Sequence, residues 1–183
     1  MKIRKKTSLK SNAGKYNTDA GVHASDVAEP VSHYVSVPAT AASRTLGIMG
    51  MAGRKEFEAV CNENDFIDII RSGIPRRVMD TMMSVADISL TEMASIVHTS
   101  DRTLRRYGPG QKLSQEQSER MIELARLYTR GEEVFGTLID FRQWMSTSLL
   151  PFGNKKPKEF LDTSLGIGMI MEELGRIQYG VFA

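Results

Sequence analysis

Beyond residue 54, apolar side chains recur every three or four positions, which is the spacing of the buried face of a helix. A first helical stretch ends at Gly73, and a second runs from Pro75 to about Val85 with valines and methionines along one face. No convincing alternation typical of a strand occurs between residues 54 and 183. The sequence therefore predicts an all-α fold.

Serine residues predict where three of the helices begin. Ser89–Glu92 and Ser114–Gln117 both have the capping-box pattern, in which the first side chain bonds the backbone three residues on and the last one bonds back. Ser100 can cap a further short helix, which Gly108-Pro-Gly110 ends. The second box begins the longest predicted helix, which we expect to break near Gly131.

The two short helices between Ser89 and Tyr107 have the layout of a helix-turn-helix, whose second helix enters the major groove of DNA with its N-terminus first. The candidate DNA-binding residues are Ser100, Arg102, Thr103, Arg105 and Arg106. The first three would lie nearest the base edges, whereas the last two could reach phosphates. An ordinary pair of packed helices with a solvated arginine face fits the same spacing, and both interpretations stay open at this point.

The C-terminal part is predicted to hold two further helices, over 134–144 and from 163 to about 175, with a loop over 149–158 between them. The tail that follows contains four apolar side chains, those of Ile177, Tyr179, Val181 and Phe182. An exposed apolar tail either folds back on its own domain or docks into a partner.

The N-terminal part has a different character. Residues 1–44 carry seven basic and three acidic side chains and no sustained periodicity, so we expect a flexible arm. Such an arm is either a solvating tail or a source of salt-dependent affinity for an anionic polymer.

The composition favours a soluble protein without catalytic machinery. Of the 183 residues, 41% are hydrophobic and 25% charged, and neither a secretory signal nor an apolar run of about 20 residues is present, so we expect a cytoplasmic location.

One cysteine and three widely spaced histidines argue against a disulfide framework or a metal site. The adjacent pairs Glu132–Glu133 and Glu172–Glu173 diverge on a helix and cannot share a proton. We therefore expect no catalytic residue, no metal and no cofactor.

In several stretches of the chain, the identities of the residues are more informative about the protein family than the spacing of apolar positions. They are Arg102-Thr-Leu-Arg-Arg106, Leu124-Ala-Arg-Leu-Tyr128, Glu133-Val-Phe-Gly136, Trp144, Phe160-Leu-Asp-Thr163 and Leu174-Gly-Arg-Ile-Gln-Tyr-Gly180. In this order they resemble the Xre/MbcA/ParS-type antitoxins of RES-domain toxin–antitoxin systems, and the resemblance covers roughly residues 60–183.

This resemblance implies a fold and a function. Beyond the flexible basic arm over 1–44, which has no counterpart in the family, it implies an Xre/Cro-like helix-turn-helix domain over 45–110 that binds the operator DNA of its own operon. It also implies a helical toxin-binding domain with a C-terminal tail over 111–183. The partner would be a RES-domain toxin with an ADP-ribosyltransferase-like fold that consumes NAD. A homodimer of the antitoxin would assemble with the toxin into a larger complex and obstruct the toxin's active site.

The resemblance also implies which residues contact the toxin. They are Asp162, Thr163, Arg176, Gln178, Tyr179, Gly180, Val181, Phe182 and Ala183. The alternative function is a stand-alone helix-turn-helix transcriptional regulator whose C-terminal domain only dimerises or senses a ligand.

Overall fold

The computed structural model describes residues 40–58, 60 and 62–180. These residues form eight α-helices and no strand, which confirms the all-α fold. The helices are α1 (Ala41–Ile48), α2 (Asp65–Ser72), α3 (Arg76–Ala86), α4 (Leu90–Ile96), α5 (Asp101–Arg106), α6 (Gln115–Phe135), α7 (Leu138–Met145) and α8 (Ser164–Tyr179).

The long helix α6 is the centre of the fold. It packs against α1, α2, α3, α7 and α8, so that the helix-turn-helix region and the C-terminal helices share one hydrophobic core. Leu124, Ala125 and Tyr128 are among the fully buried side chains of α6. The rest of this core is mostly aliphatic and rich in methionine, with the phenylalanines Phe66, Phe141 and Phe152 also buried in it. Flexible thioether side chains fill irregular gaps between helices.

The three serine caps predicted from the sequence are confirmed. Ser89 and Ser114 both form complete capping boxes, with Glu92 and Gln117 bonding back to the first residue of each box. The Ser100 hydroxyl accepts a hydrogen bond of 3.1 Å from the Thr103 backbone N–H and begins α5. Each of these bonds joins residues three positions apart, so their local sequence is sufficient to specify them.

The predicted break near Gly131 is wrong. Helix α6 continues through Gly131 to Phe135 and is capped by Gly136, where φ is +82°. The glycine is needed for close packing, because a Cβ atom at Gly131 would lie 2.4 Å from the ring of Phe141. That ring is fully buried and makes an edge contact with Tyr128 at 5.1 Å between centroids.

Gly131→Ala is therefore expected to destabilise the protein although alanine is the better helix former. Overpacking of a tight core costs about 1–3 kcal/mol, which exceeds the roughly 1 kcal/mol that alanine contributes over glycine in a helix. Chemical denaturation of both proteins measures the difference. The matched control is Gly168→Ala in α8, where a Cβ would have no neighbour within 4 Å. A Gly131→Ala protein as stable as the control variant would contradict the packing argument.

Two more helix boundaries differ from the sequence prediction. In the first predicted stretch, the residues that the structure describes before α2 begins at Asp65 form a 3-10 turn at Lys55–Phe57 and no α-helix. At the start of α2, the Asp65 carboxylate accepts a hydrogen bond from the backbone N–H of Asn62. The Asn62 side-chain oxygen accepts another from the backbone N–H of Asn64. These local bonds compete with a continuous helix. The predicted loop over 149–158 contains the 3-10 turn Leu150–Phe152 and the start of another, Pro157–Phe160.

The ends of the chain also required correction. Helix α1 begins at Ala41, so residues 41–44 of the predicted flexible arm are helical, because Thr40 caps the helix and Ala42 is buried in the core. At the other end, α8 continues to Tyr179, and the first four residues of the predicted tail are its last turn. Residues 1–39 and 181–183 lie outside the described residues.

Candidate functional site

The predicted DNA-binding residues lie on one short helix and its cap. Leu104 of α5 is fully buried and anchors that helix, while Arg102, Arg105 and Arg106 are exposed on its outer side. The turn before α5 is tight, with His98 in the left-handed region at φ +52°. The helix-turn-helix geometry predicted from the sequence is therefore present.

The exposed arginines of α5 are available for an external anion. Among the described residues, no carboxylate forms an ion pair with Arg102, Arg105 or Arg106. The neighbouring carboxylate of Asp101 accepts a hydrogen bond of 2.7 Å from the Thr91 hydroxyl of α4. The side chain of Asp101 is thereby bonded to α4 and forms no ion pair with the arginines that follow it.

The hydroxyls of Ser100 and Thr103 already bond each other at 2.9 Å. Ser100 also caps α5, so its side chain has a structural role there. Since a hydroxyl has one donor and two acceptor positions, Ser100 can still make one further bond to an outside partner and Thr103 can make two.

The predicted toxin-contacting residues fall into two groups at opposite ends of α8. Asp162 and Thr163 precede the helix, and the Thr163 hydroxyl caps it by accepting from the Gly166 backbone at 3.0 Å. The segment from Arg176 to Gly180 is at the other end. With 16 residues in α8, the two groups are separated by about 24 Å along the axis. The structure does not bring them together, and Val181, Phe182 and Ala183 lie outside the described residues.

The C-terminal end of α8 presents both charge and apolar area. Tyr179 is 78% exposed, whereas Arg176 is paired with Glu173 at 2.6 Å and with Glu172 at 3.8 Å on its own helix. The amide oxygen of Gln178 accepts a hydrogen bond from Arg130 of α6, which attaches the last turn to the core helix.

Sequence reasoning missed further apolar side chains on the outer side of α8. Leu165 is 78% exposed and Met169 is 38% exposed, and both are on the same helix as Tyr179. Their spacing of four residues is the signal that could have found them, because residues four apart share one face of a helix.

A buried arginine joins the helix-turn-helix to the start of α8. Arg120 of α6 is only 6% exposed, and its Nε donates to the Ile96 carbonyl at 3.1 Å, at the end of α4. One terminal nitrogen donates to the Leu161 carbonyl at 2.7 Å, and the other donates to the Ser164 hydroxyl at 2.8 Å. Glu123 supplies the opposite charge. Sequence analysis assigned no role to this residue.

Two further contacts reinforce this connection. His98 in the turn of the helix-turn-helix donates to the Asp162 carbonyl at 2.9 Å. Lys158 forms an ion pair of 3.3 Å with Glu92 of α4. Hydrogen bonds from Ser89, and after them the Lys158 charge, lower the pKa of Glu92. The two functional regions are therefore held together by several polar contacts in addition to the shared core.

These features define a class of protein: a helix-turn-helix joined through a shared helix to an α-helical C-terminal domain. Comparison with protein families places an "Antitoxin Xre-like helix-turn-helix domain" over residues 65–126 and an "Antitoxin Xre/MbcA/ParS C-terminal toxin-binding domain" over residues 130–180. The chain thus belongs to the Xre-type antitoxins, with a toxin and DNA as the partners of its two domains.

Individual relatives agree with this assignment. The chain is 28% identical over 119 residues to Antitoxin Xre of Yersinia enterocolitica, an alignment that covers 64% of this chain and 80% of that protein. It is 24% identical over 115 residues to Antitoxin Xre of Photorhabdus laumondii, covering 62% of this chain and 78% of the relative. Within the described residues, no helix is long and apolar enough to cross a membrane, and no cluster of His, Cys, Asp or Glu could hold a metal ion.

Proposed function

We propose that this antitoxin neutralises a RES-type, NAD-consuming toxin in the cytoplasm by covering the toxin's active site with the C-terminal end of α8. The observation that carries the proposal is the exposure of Tyr179 in the last turn of α8, inside the domain matched to toxin binding. Tyrosine and arginine are among the side chains most enriched at the energetic centres of protein interfaces, and Arg176 is one helical turn before Tyr179.

The way α8 is anchored supports this role. Ile167, Ile170 and Leu174 are buried in the core, so the helix is fixed along its length while its end is exposed. Because this element is already ordered, docking into a cleft costs less conformational entropy than ordering a free peptide. Two copies of the antitoxin, assembled with the toxin in a larger complex, would present two such helix ends.

Co-expression with the toxin tests the proposal. The toxin should be taken from the gene adjacent to this one, and cellular NAD is the quantity to measure. We expect NAD to fall when the toxin is expressed alone and to be maintained when the antitoxin is present. Purification of the pair followed by light scattering gives the mass of the complex. NAD depletion that the antitoxin does not prevent would contradict the proposal and favour the stand-alone regulator.

We further propose that the helix-turn-helix binds the operator of its own operon. Support comes from the free arginine face of α5 and from the match of residues 65–126 to an Xre-like helix-turn-helix domain. In this arrangement Arg102, at the second position of α5, is placed to pair with a base edge, and Arg105 and Arg106 to contact phosphates.

Arg102→Ala is expected to weaken operator binding by about 1–3 kcal/mol, the cost of losing an arginine that reads a base. Binding to a duplex of scrambled sequence should change much less. Fluorescence anisotropy with both duplexes measures the two effects, and Arg71→Ala, which removes an exposed arginine from α2, is the matched control. An equal loss on both duplexes would show that Arg102 contacts phosphate and does not read sequence.

A further inference from the structure

Lysine is concentrated at one point of the described structure. The described residues contain five lysines, and three of them, Lys155, Lys156 and Lys158, lie within four consecutive residues. We name residues 155–158 the lysine segment. It belongs to the toxin-binding domain, at the start of the 3-10 turn Pro157–Phe160.

The lysine segment is held in place by the domain beneath it. The Lys155 carbonyl accepts a hydrogen bond of 3.1 Å from the Leu149 backbone, and Pro157 is buried. Just beyond the segment, the ring of Phe160 contacts the ring of Phe152 at 5.5 Å between centroids. The positions of these lysines are therefore fixed by a folded backbone, although their side chains are long.

The segment lies directly beside the helix-turn-helix. Lys158 contacts Glu92, in the first turn of α4, and the chain a few residues on is bonded to the turn before α5 through Asp162 and His98. In a helix-turn-helix, the first helix crosses the DNA backbone while the second enters the major groove. The lysine segment is therefore at the helix that would cross the DNA backbone.

Two of these lysines are free to bind an anion. Lys155 and Lys156 are exposed, and among the described residues neither forms an ion pair. Three carboxylates lie near the lysine segment: Glu92 contacts Lys158, and Glu159 and Asp162 follow the segment in the chain. Glu92 is engaged by Lys158 and Ser89, and the Glu159 carboxylate accepts a bond from the Lys156 backbone N–H.

We propose that the lysine segment of the toxin-binding domain contacts the phosphates of duplex DNA next to the site that α5 occupies. The inference rests on the proposed DNA binding and extends the DNA surface beyond the helix-turn-helix. Double-stranded DNA carries one negative charge per about 1.7 Å of its axis. Lys155 and Lys156 precede Lys158, which contacts α4, by three and two residues, so their long side chains have phosphates within reach. Such contacts position the protein and read no sequence.

The test is a salt titration of DNA binding with the full chain. The Lys155→Gln/Lys156→Gln variant is compared with the unsubstituted protein on two duplexes, one from upstream of the gene and one of scrambled sequence. Loss of two phosphate contacts should make the slope of log K against log salt shallower by about 1.8, since each contact contributes about 0.9. The change should be the same on both duplexes.

Lys55→Gln/Arg71→Gln is the matched control, because it removes the same two charges from outside α4, α5 and the lysine segment. We expect this control to keep the slope of the unsubstituted protein and the lysine-segment variant to keep its affinity for the toxin. An unchanged slope in the Lys155→Gln/Lys156→Gln variant, or an equal change in the control, overturns the inference. So does a loss of toxin affinity with an unchanged slope, which assigns the segment to the toxin.

The experiment distinguishes a failure of the proposed DNA binding from a failure of the proposed lysine contacts. An unsubstituted protein that binds neither duplex overturns both proposals. One that binds with a slope insensitive to Lys155→Gln/Lys156→Gln overturns the lysine contacts alone.

Discussion

An antitoxin that ends at Gly175 is expected to lose all protection of cellular NAD against its toxin. The truncation removes Arg176, Gln178 and the exposed Tyr179, which form the last turn of α8. It leaves the buried side chains of Ile170 and Leu174 in place. Among the described residues, it also removes the half-buried side chain of Ile177 and the backbone bonds of the last turn, together with the exposed ion pairs of Arg176 and one surface hydrogen bond. The exposed ion pairs contribute little to stability.

The truncated chain should therefore fold and yet fail to inhibit. Circular dichroism and thermal unfolding establish that it folds, and NAD measured during toxin expression establishes whether it inhibits. A chain that ends at Gly180 is the matched control, because it keeps the whole of α8 and separates its last turn from residues 181–183. Full protection by the chain that ends at Gly175 would contradict a role for the end of α8.

Arg120→Met is expected to reduce the free energy of unfolding by about 1–3 kcal/mol for each buried carbonyl that loses its donor. The guanidinium of Arg120 satisfies the carbonyls of Ile96 and Leu161 and pairs with Glu123. Methionine is also long and unbranched but has no donor, so these groups would be left without their partner in the interior. Urea denaturation followed by Trp144 fluorescence measures the change.

Arg126→Met on the same helix is the control for Arg120→Met. Arg126 forms an exposed ion pair with Glu63 at 2.9 Å, with side chains 45% and 61% exposed. Exposed pairs contribute at most about 1 kcal/mol. Equal effects of the two substitutions would refute the view that Arg120 joins the helix-turn-helix to the start of α8.

The predictions that the structure confirms depend on bonds between near neighbours in the chain. Ser89, Ser100 and Ser114 begin helices as expected, because a cap needs only a side chain and a backbone N–H three residues apart. The exposed arginine face of α5 follows in the same way from the spacing of polar positions around the buried Leu104. The order of the motifs beyond residue 60 identified the antitoxin family, and the two domain matches confirm that family.

Two of the errors arose where packing between different helices overrides the local pattern. Gly131 was expected to interrupt a helix, but the ring of Phe141 packs where its side chain would be, so the glycine permits close contact and the helix continues. The last helix was expected to end near residue 175, but the first residues of the apolar tail extend α8, and Arg130 of α6 donates a hydrogen bond to Gln178 there. Neither partner can be identified from the local pattern.

The order of residues alone was therefore sufficient for the helical class, the caps, the candidate DNA-reading face and the family, because short-range periodicity and motif order specify them. The tertiary structure was needed to show that Arg120 links α4 to the start of α8 and that the lysine segment lies beside the helix-turn-helix. The hydrogen bonds concerned join residues 24, 41 and 66 positions apart. Such neighbours are determined by how the helices pack around α6, and helical periodicity carries no information about them.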